Sequence, residues 1–169
     1  EGFLGDIQAD GRILNGSFAA YDGGHGLAGV PGLPTGLLMG GREMLIGPSS
    51  RDGLEITRRI YVPLDYAYAR FLEVVHNPTG SPLTANLGLD SNLGSDSGTV
   101  LVRTSSGDTV FDTADNWIVT DDIDGSGDPT VLHVIANDYG QQRPISVSYS
   151  TGDLGYGYQV TVPPGETRI

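Results

Sequence analysis

The sequence predicts an all-β fold of antiparallel strands, and three observations lead there. Apolar residues arrive in short clusters, several of them alternating with polar ones, as half-buried strands require. Glycine (26) and proline (10) recur every several residues without a three-residue period, which fits many tight turns. No run of ten or more residues carries 3.6-residue periodicity with caps, so βαβ units and parallel sheets are not expected.

The first forty residues alternate poorly, and Gly23–Gly26 and Val30–Pro34 read as loops around short strands. Glu43–Ile46 and Leu54–Pro63 follow as strands; in the second, apolar side chains fall on every other position, predicting one wet face. Arg70–Asn77 and Leu83–Leu89 flank Pro78-Thr79-Gly80, where proline fixes φ and glycine tolerates positive φ, so the pair reads as an antiparallel hairpin. Further strands are expected at Val100–Thr104, Asp108–Asp112, Trp117–Thr120, Thr130–Ala136, Ile145–Tyr149 and Tyr156–Val162. At 169 residues the chain suits one domain, 1–169, with a single core. About ten short strands around one core usually close as a two-sheet β-sandwich, with a β-barrel as the alternative.

Net charge is −12, from 21 acids against 9 bases, and such a field repels nucleic-acid phosphates and anionic membrane surfaces. All nine bases are arginine, a bias that either salt adaptation or high-GC coding produces. Cysteine is absent, which excludes disulfides and thiolate metal sites. No segment approaches the ~18 apolar residues of a membrane span. A start at Glu1-Gly2-Phe3 without methionine leads to the expectation of a piece cut from a longer protein.

Among polar segments, Thr120–Pro129 carries the strongest chemical signal. Hard cations take six to eight oxygens, and Asp122, Asp124, Ser126 and Asp128 in a glycine-bent loop offer several to one structural Ca²⁺. An EF-hand is excluded, because His133 stands where the closing bidentate glutamate belongs. The competing reading is a solvated turn, since Asp and Gly are standard turn residues. The same chemistry accounts for Asp90–Gly98, which otherwise offers hydrogen bonds to sugar hydroxyls. Tyr66, Tyr68, Tyr156 and Tyr158 are candidates for a sugar-stacking platform, each pair two residues apart and hence on one face if extended. Trp117, within the apolar Trp117-Ile118-Val119, is assigned to core packing.

The run Leu54-Glu55-Ile56-Thr57-Arg58-Arg59-Ile60-Tyr61-Val62-Pro63, a short loop, and Arg70-Phe71-Leu72-Glu73-Val74-Val75-His76-Asn77-Pro78 together resemble the β-supersandwich, or galactose-mutarotase-like, domains. In that family a strand carrying Thr-Arg leads to one ending in an Asn-Pro or Asn-Thr turn. The resemblance implies a supporting or sugar-contacting domain in a secreted or surface bacterial protein. Mutarotases use a histidine and a glutamate as acid and base. Here His25, His76 and His133 fall in no matching motif with Glu43, Glu55 or Glu73, so no catalytic residue is carried over.

Nucleophilic catalysis finds no Gly-x-Ser-x-Gly elbow, phosphate binding no glycine loop, and no carboxylate pair stands out as a glycosidase's. The sequence therefore reads as a noncatalytic accessory module, partnered by neighbouring domains and contacting carbohydrate, with calcium as an optional structural ligand. Two alternatives from other classes stand beside it. A fragment of a carbohydrate-active enzyme would line an acidic groove, whereas an adhesive or self-assembling module would show an exposed edge strand or a large apolar patch.

Overall fold

The structure, a computed structural model, describes residues 34–93, 98–123, 130–140 and 142–169, together with four short strands nearer the start. Those four are β1 (Gly2–Phe3), β2 (Asp6–Ile7), β3 (Ile13–Leu14) and β4 (Gly24–Leu27). They are followed by β5 (Pro34–Leu38), β6 (Glu43–Arg51), β7 (Leu54–Tyr61), β8 (Arg70–His76), β9 (Leu83–Asn92) and β10 (Thr99–Thr104). The chain closes with β11 (Trp117–Asp122), β12 (Val131–Val134), β13 (Ser146–Ser150), β14 (Asp153–Val162) and β15 (Thr167–Arg168). All pairings are antiparallel, and a short 3₁₀ turn spans Met39–Gly41.

The strands form a central sheet in the order β1-β4-β9-β14-β13, a second five-stranded sheet β15-β8-β7-β6-β5, a three-stranded sheet β10-β11-β12, and the pair β2-β3. No closed barrel forms among the described residues. Cross-strand register shows how the core is shared. In the central sheet Ala85, Leu87 and Leu89 stand opposite Val160, Tyr158 and Tyr156 on one face, while Thr84–Thr161 and Asn86–Gln159 are hydrogen-bonded pairs on the wet one. The apolar face joins Leu54, Ile56 and Val75 of the second sheet in one cluster. Further along that same face, Leu154 and Tyr149 meet Ile118 and Leu101 of the three-stranded sheet in a second cluster, and Tyr156 packs against both.

Buried positions on β7 alternate as the sequence predicts, with Leu54, Ile56, Arg58 and Ile60 facing inward, though only Glu55 of the opposite row is fully exposed. Arg58 is the unexpected member of that row. It stands directly across from Glu73, donates Nε–H to Oε1 at 2.7 Å, and its guanidinium lies 5.8 Å from the centre of the Phe71 ring. Burial pushes the Glu73 carboxyl up, and the hydrogen bond and charge of Arg58 pull it back only in part.

Three expectations about the strands are corrected. Pro78-Thr79-Gly80 does not close a hairpin: β8 pairs with β7 and β15, whereas β9 pairs with β4 and β14, so residues 77–82 cross from one sheet to another. The cause is Asn77, which is fully buried. Its Oδ1 accepts from the Thr79 N–H and hydroxyl, and its Nδ2 donates to the carbonyls of Ser81 and Val162, both at 2.8 Å. An Asx-type turn thus replaces the hairpin ladder.

Asp108–Asp112 is likewise a side-chain-bonded loop rather than a strand. Asp108 Oδ1 accepts from Thr104 Oγ1 and the Val110 N–H; buried Asp115 accepts from Ser105 Oγ and the N–H groups of Ser106 and Asp112. Conversely, Gly23–Gly26, read as a loop, falls largely within β4, which pairs with β9. The register of β6 against β7 slips by a bulge between Ile46 and Ser49. Gly47 is required there, because its φ is +103° and a Cβ would lie 2.7 Å from the Ile56 carbonyl oxygen.

A buried ion pair costs most when only one partner is removed. Arg58→Met should lower unfolding free energy by about 3–5 kcal/mol, and Arg58→Met/Glu73→Leu should restore most of it, as read from denaturant midpoints. Equal destabilisation of single and double variants would contradict the assignment. Asn77→Ala should cost about 2–4 kcal/mol, since it orphans several buried polar groups at once.

Candidate functional site

The face of the second sheet turned away from the core carries the densest functional chemistry. Alternation on β7 places Thr57, Arg59 and Tyr61 on that face, and register sets Glu43 opposite Tyr61, Tyr61 opposite Arg70, and Leu45 opposite Arg59. One rung therefore reads Leu38, Glu43, Tyr61, Arg70 across four strands, with Arg59 one rung further in.

Glu43 is 1% exposed, an unusual burial for a carboxylate on an outward row. Arg59 Nη2 donates to its Oε2 at 2.6 Å, and this bond and charge hold the guanidinium above its ordinary range. The pair is incompletely satisfied: Glu43 Oε1 and Arg59 Nε are both buried and have no hydrogen-bond partner among the described residues. One is an acceptor and the other a donor. Beside them Arg70 stacks its guanidinium 5.2 Å from the centre of the Tyr61 ring.

The loop after β7 begins on this rung. Val62 N–H donates to the Arg42 carbonyl at 3.0 Å, which ties the start of this loop to the β5–β6 turn. Tyr66 is 71% exposed, and Tyr68, Leu64 and Met39 are exposed with it at this end of the sheet. The chain is not extended here, since Tyr68 N–H bonds the Tyr66 carbonyl in a three-residue turn. The same-face argument from two-residue spacing therefore does not apply to these tyrosines.

Tyr156 and Tyr158 lie elsewhere, on the core-facing side of β14, with rings edge-on at 5.9 Å. The Tyr158 hydroxyl donates to the Ile135 carbonyl at 2.6 Å, and burial pushes it up to about 12. The structure does not bring them together with Tyr66 and Tyr68. Trp117 is half-buried on the outer face of the three-stranded sheet, opposite Val134, instead of in the core.

Of the anticipated calcium ligands, Asp122 ends β11 half-buried beside Gly98, while Asp124, Ser126 and Asp128 lie outside the described residues. The neighbouring Asp121 accepts from Thr130 Oγ1 at 2.7 Å, and Ile123 N–H bonds the Gly98 carbonyl. Among the described residues no group of three or more His, Cys, Asp or Glu side chains converges as a metal site. No described helix is long and apolar enough to cross a membrane.

Sequence reasoning missed Glu43, Arg59, Tyr61 and Arg70 as a group. The alternation of β7 could have paired Arg59 with Tyr61, but the Gly47 bulge decides which β6 residue meets them, and nothing local reports it. Comparison with family models, curated proteins and solved structures finds no match.

His133 and Asp115 serve internal bonds. His133 Nε2 shares a 2.9 Å hydrogen bond with buried Thr120, and burial depresses the imidazole to about 4. Burial would raise Asp115, but N–H donors from Asp112 and Ser106 and the Ser105 hydroxyl hold it below the ordinary carboxylate range.

The His133 shift fixes a pH dependence. Its folded value lies below the unfolded 6.5, so its contribution is complete above pH 6.5 and is lost as pH falls towards about 4. At about 1.4 kcal/mol per unit, the loss approaches about 3 kcal/mol. Glu73, shifted upward, acts in the opposite direction above its unfolded 4.5. Thermal unfolding of His133→Gln between pH 7 and 4.5 should be flatter than that of the parent chain; identical slopes would contradict this assignment.

Proposed function

We propose that the chain is a noncatalytic accessory module that contacts neutral carbohydrate through the Glu43–Arg59 face of its second sheet. The observation that carries this reading is the ion pair with one unsatisfied acceptor and one unsatisfied donor. The Arg59 side chain is 39% exposed, so the pair lies close beneath the surface, and a hydroxyl admitted by a shift of the guanidinium would serve both, donating to Glu43 Oε1 and accepting from Arg59 Nε. Leaving such atoms unsatisfied costs about 1–3 kcal/mol each, which a bound polyol would recover. Tyr61 and the exposed Tyr66 and Tyr68 supply rings of the kind that pack on sugar faces. A net charge of −12 favours a neutral sugar over a uronate.

The shared cluster between the central and second sheets supports a sandwich-type layering, in keeping with the supersandwich resemblance. The secreted or surface setting rests on that resemblance. The displaced titratable groups lie apart and each bonds internally, which supports a binding module over a catalyst.

Affinity electrophoresis through gels containing soluble glucan, mannan, galactan or polyuronate tests the reading. At least one neutral polymer should retard the protein, and Glu43→Gln or Tyr66→Ala/Tyr68→Ala should weaken retention about tenfold. Retardation by none of the neutral polymers, or undiminished retention of both variants, would overturn it.

A further inference from the structure

The three-stranded sheet presents a different surface. Ile118, Thr120 and His133 face the core, so register places Trp117, Val119, Leu132 and Val134 on the opposite face. Leu132 is 58% and Val134 68% exposed, and Val102, at the β10 bulge, is exposed beside them. β12 is also an edge: among the described residues it pairs only with β11. Its four residues, Val131-Leu132-His133-Val134, contain no proline, lysine or carboxylate, and its pairing has no bulge. Of the features that blunt an edge, β12 has shortness, at four residues, and lacks these others.

Charge decides what fits there. Among the described residues of this part of the fold, Asp108, Asp112, Asp115, Asp121, Asp122 and Asp138 stand against Arg103 and Arg143, the latter 3.8 Å from Asp138. A second copy of a chain carrying −12 would meet this acidic surround with repulsion. We infer that β12 is a docking edge for an extended, cationic segment of another protein, which adds as a strand and lays alternate apolar side chains on Leu132, Val134 and Trp117. Main-chain bonds along the open edge supply affinity, the apolar row sets which side chains face inward, and basic residues meet the aspartates.

Trp117 is the only tryptophan, so its fluorescence reports on this face directly. The probe is a ten-residue peptide alternating lysine and valine, with a glutamate–valine peptide as the charge control. The expected result is a saturable change in Trp117 emission with the lysine peptide, weakened at least tenfold in Leu132→Ser/Val134→Ser and absent with the glutamate peptide. Both substituted side chains are exposed, and circular dichroism checks that the variant keeps its fold. No response to the lysine peptide overturns the inference. So does equal binding by the variant, which would mean attraction by charge alone. A concentration-dependent dimer in sedimentation, abolished by the same substitutions, would overturn it in favour of a second copy.

Discussion

Asn77 holds the two largest sheets together at the point where the chain passes between them. The chain leaves the second sheet at residues 77–82 and returns to it at 163–166, and every polar group of this fully buried residue joins one of those passages. Its side chain bonds Ser81 and Val162; its backbone N–H donates to Glu166, and its carbonyl accepts from Gly165. The apolar rows of β7, β9 and β14 can then meet face to face, because both crossings are fixed at one height. Burial of those rows supplies the driving force, while Asn77 supplies the geometry that makes the burial possible.

Everything proposed about function follows from which faces this arrangement leaves outward. The central sheet turns its apolar side to both other sheets, so its exposed side is polar, with threonine, asparagine and glutamine pairs. The other face of the second sheet carries a mixed row in which Glu43, Arg59, Tyr61 and Arg70 are neighbours. The three-stranded sheet is left with an apolar outer face and an edge, β12, that pairs only with β11 among the described residues. Two chemically distinct surfaces thus arise from one packing scheme, one carrying charged and aromatic side chains and the other apolar ones.

Much of the strand content was legible because inward-facing residues leave a period-two trace, as at Leu54–Ile60, Leu83–Leu89 and Tyr156–Val162. Partner choice was not, because it is decided at long range. Pro78-Thr79-Gly80 is sound hairpin chemistry locally, yet Asn77 is committed to Val162, 85 residues further on. Tyr156 and Tyr158 share the spacing of Tyr66 and Tyr68, but the first pair sits in a long strand that places both rings inward and the second in a bent loop. Spacing alone carries no information about which face is the core. The Glu43–Arg59 pair was hidden for a related reason, since the register that joins them depends on a bulge at Gly47.

The most direct test of the account is the side-chain Nε–H resonance of Arg59 in an ¹H–¹⁵N spectrum. The account predicts that a neutral glucan, mannan or galactan oligosaccharide shifts this resonance and slows its exchange with water, and that Glu43→Gln suppresses both effects. A resonance that stays unmoved by all three oligosaccharides would contradict it, leaving the Glu43–Arg59 pair a feature of the fold alone.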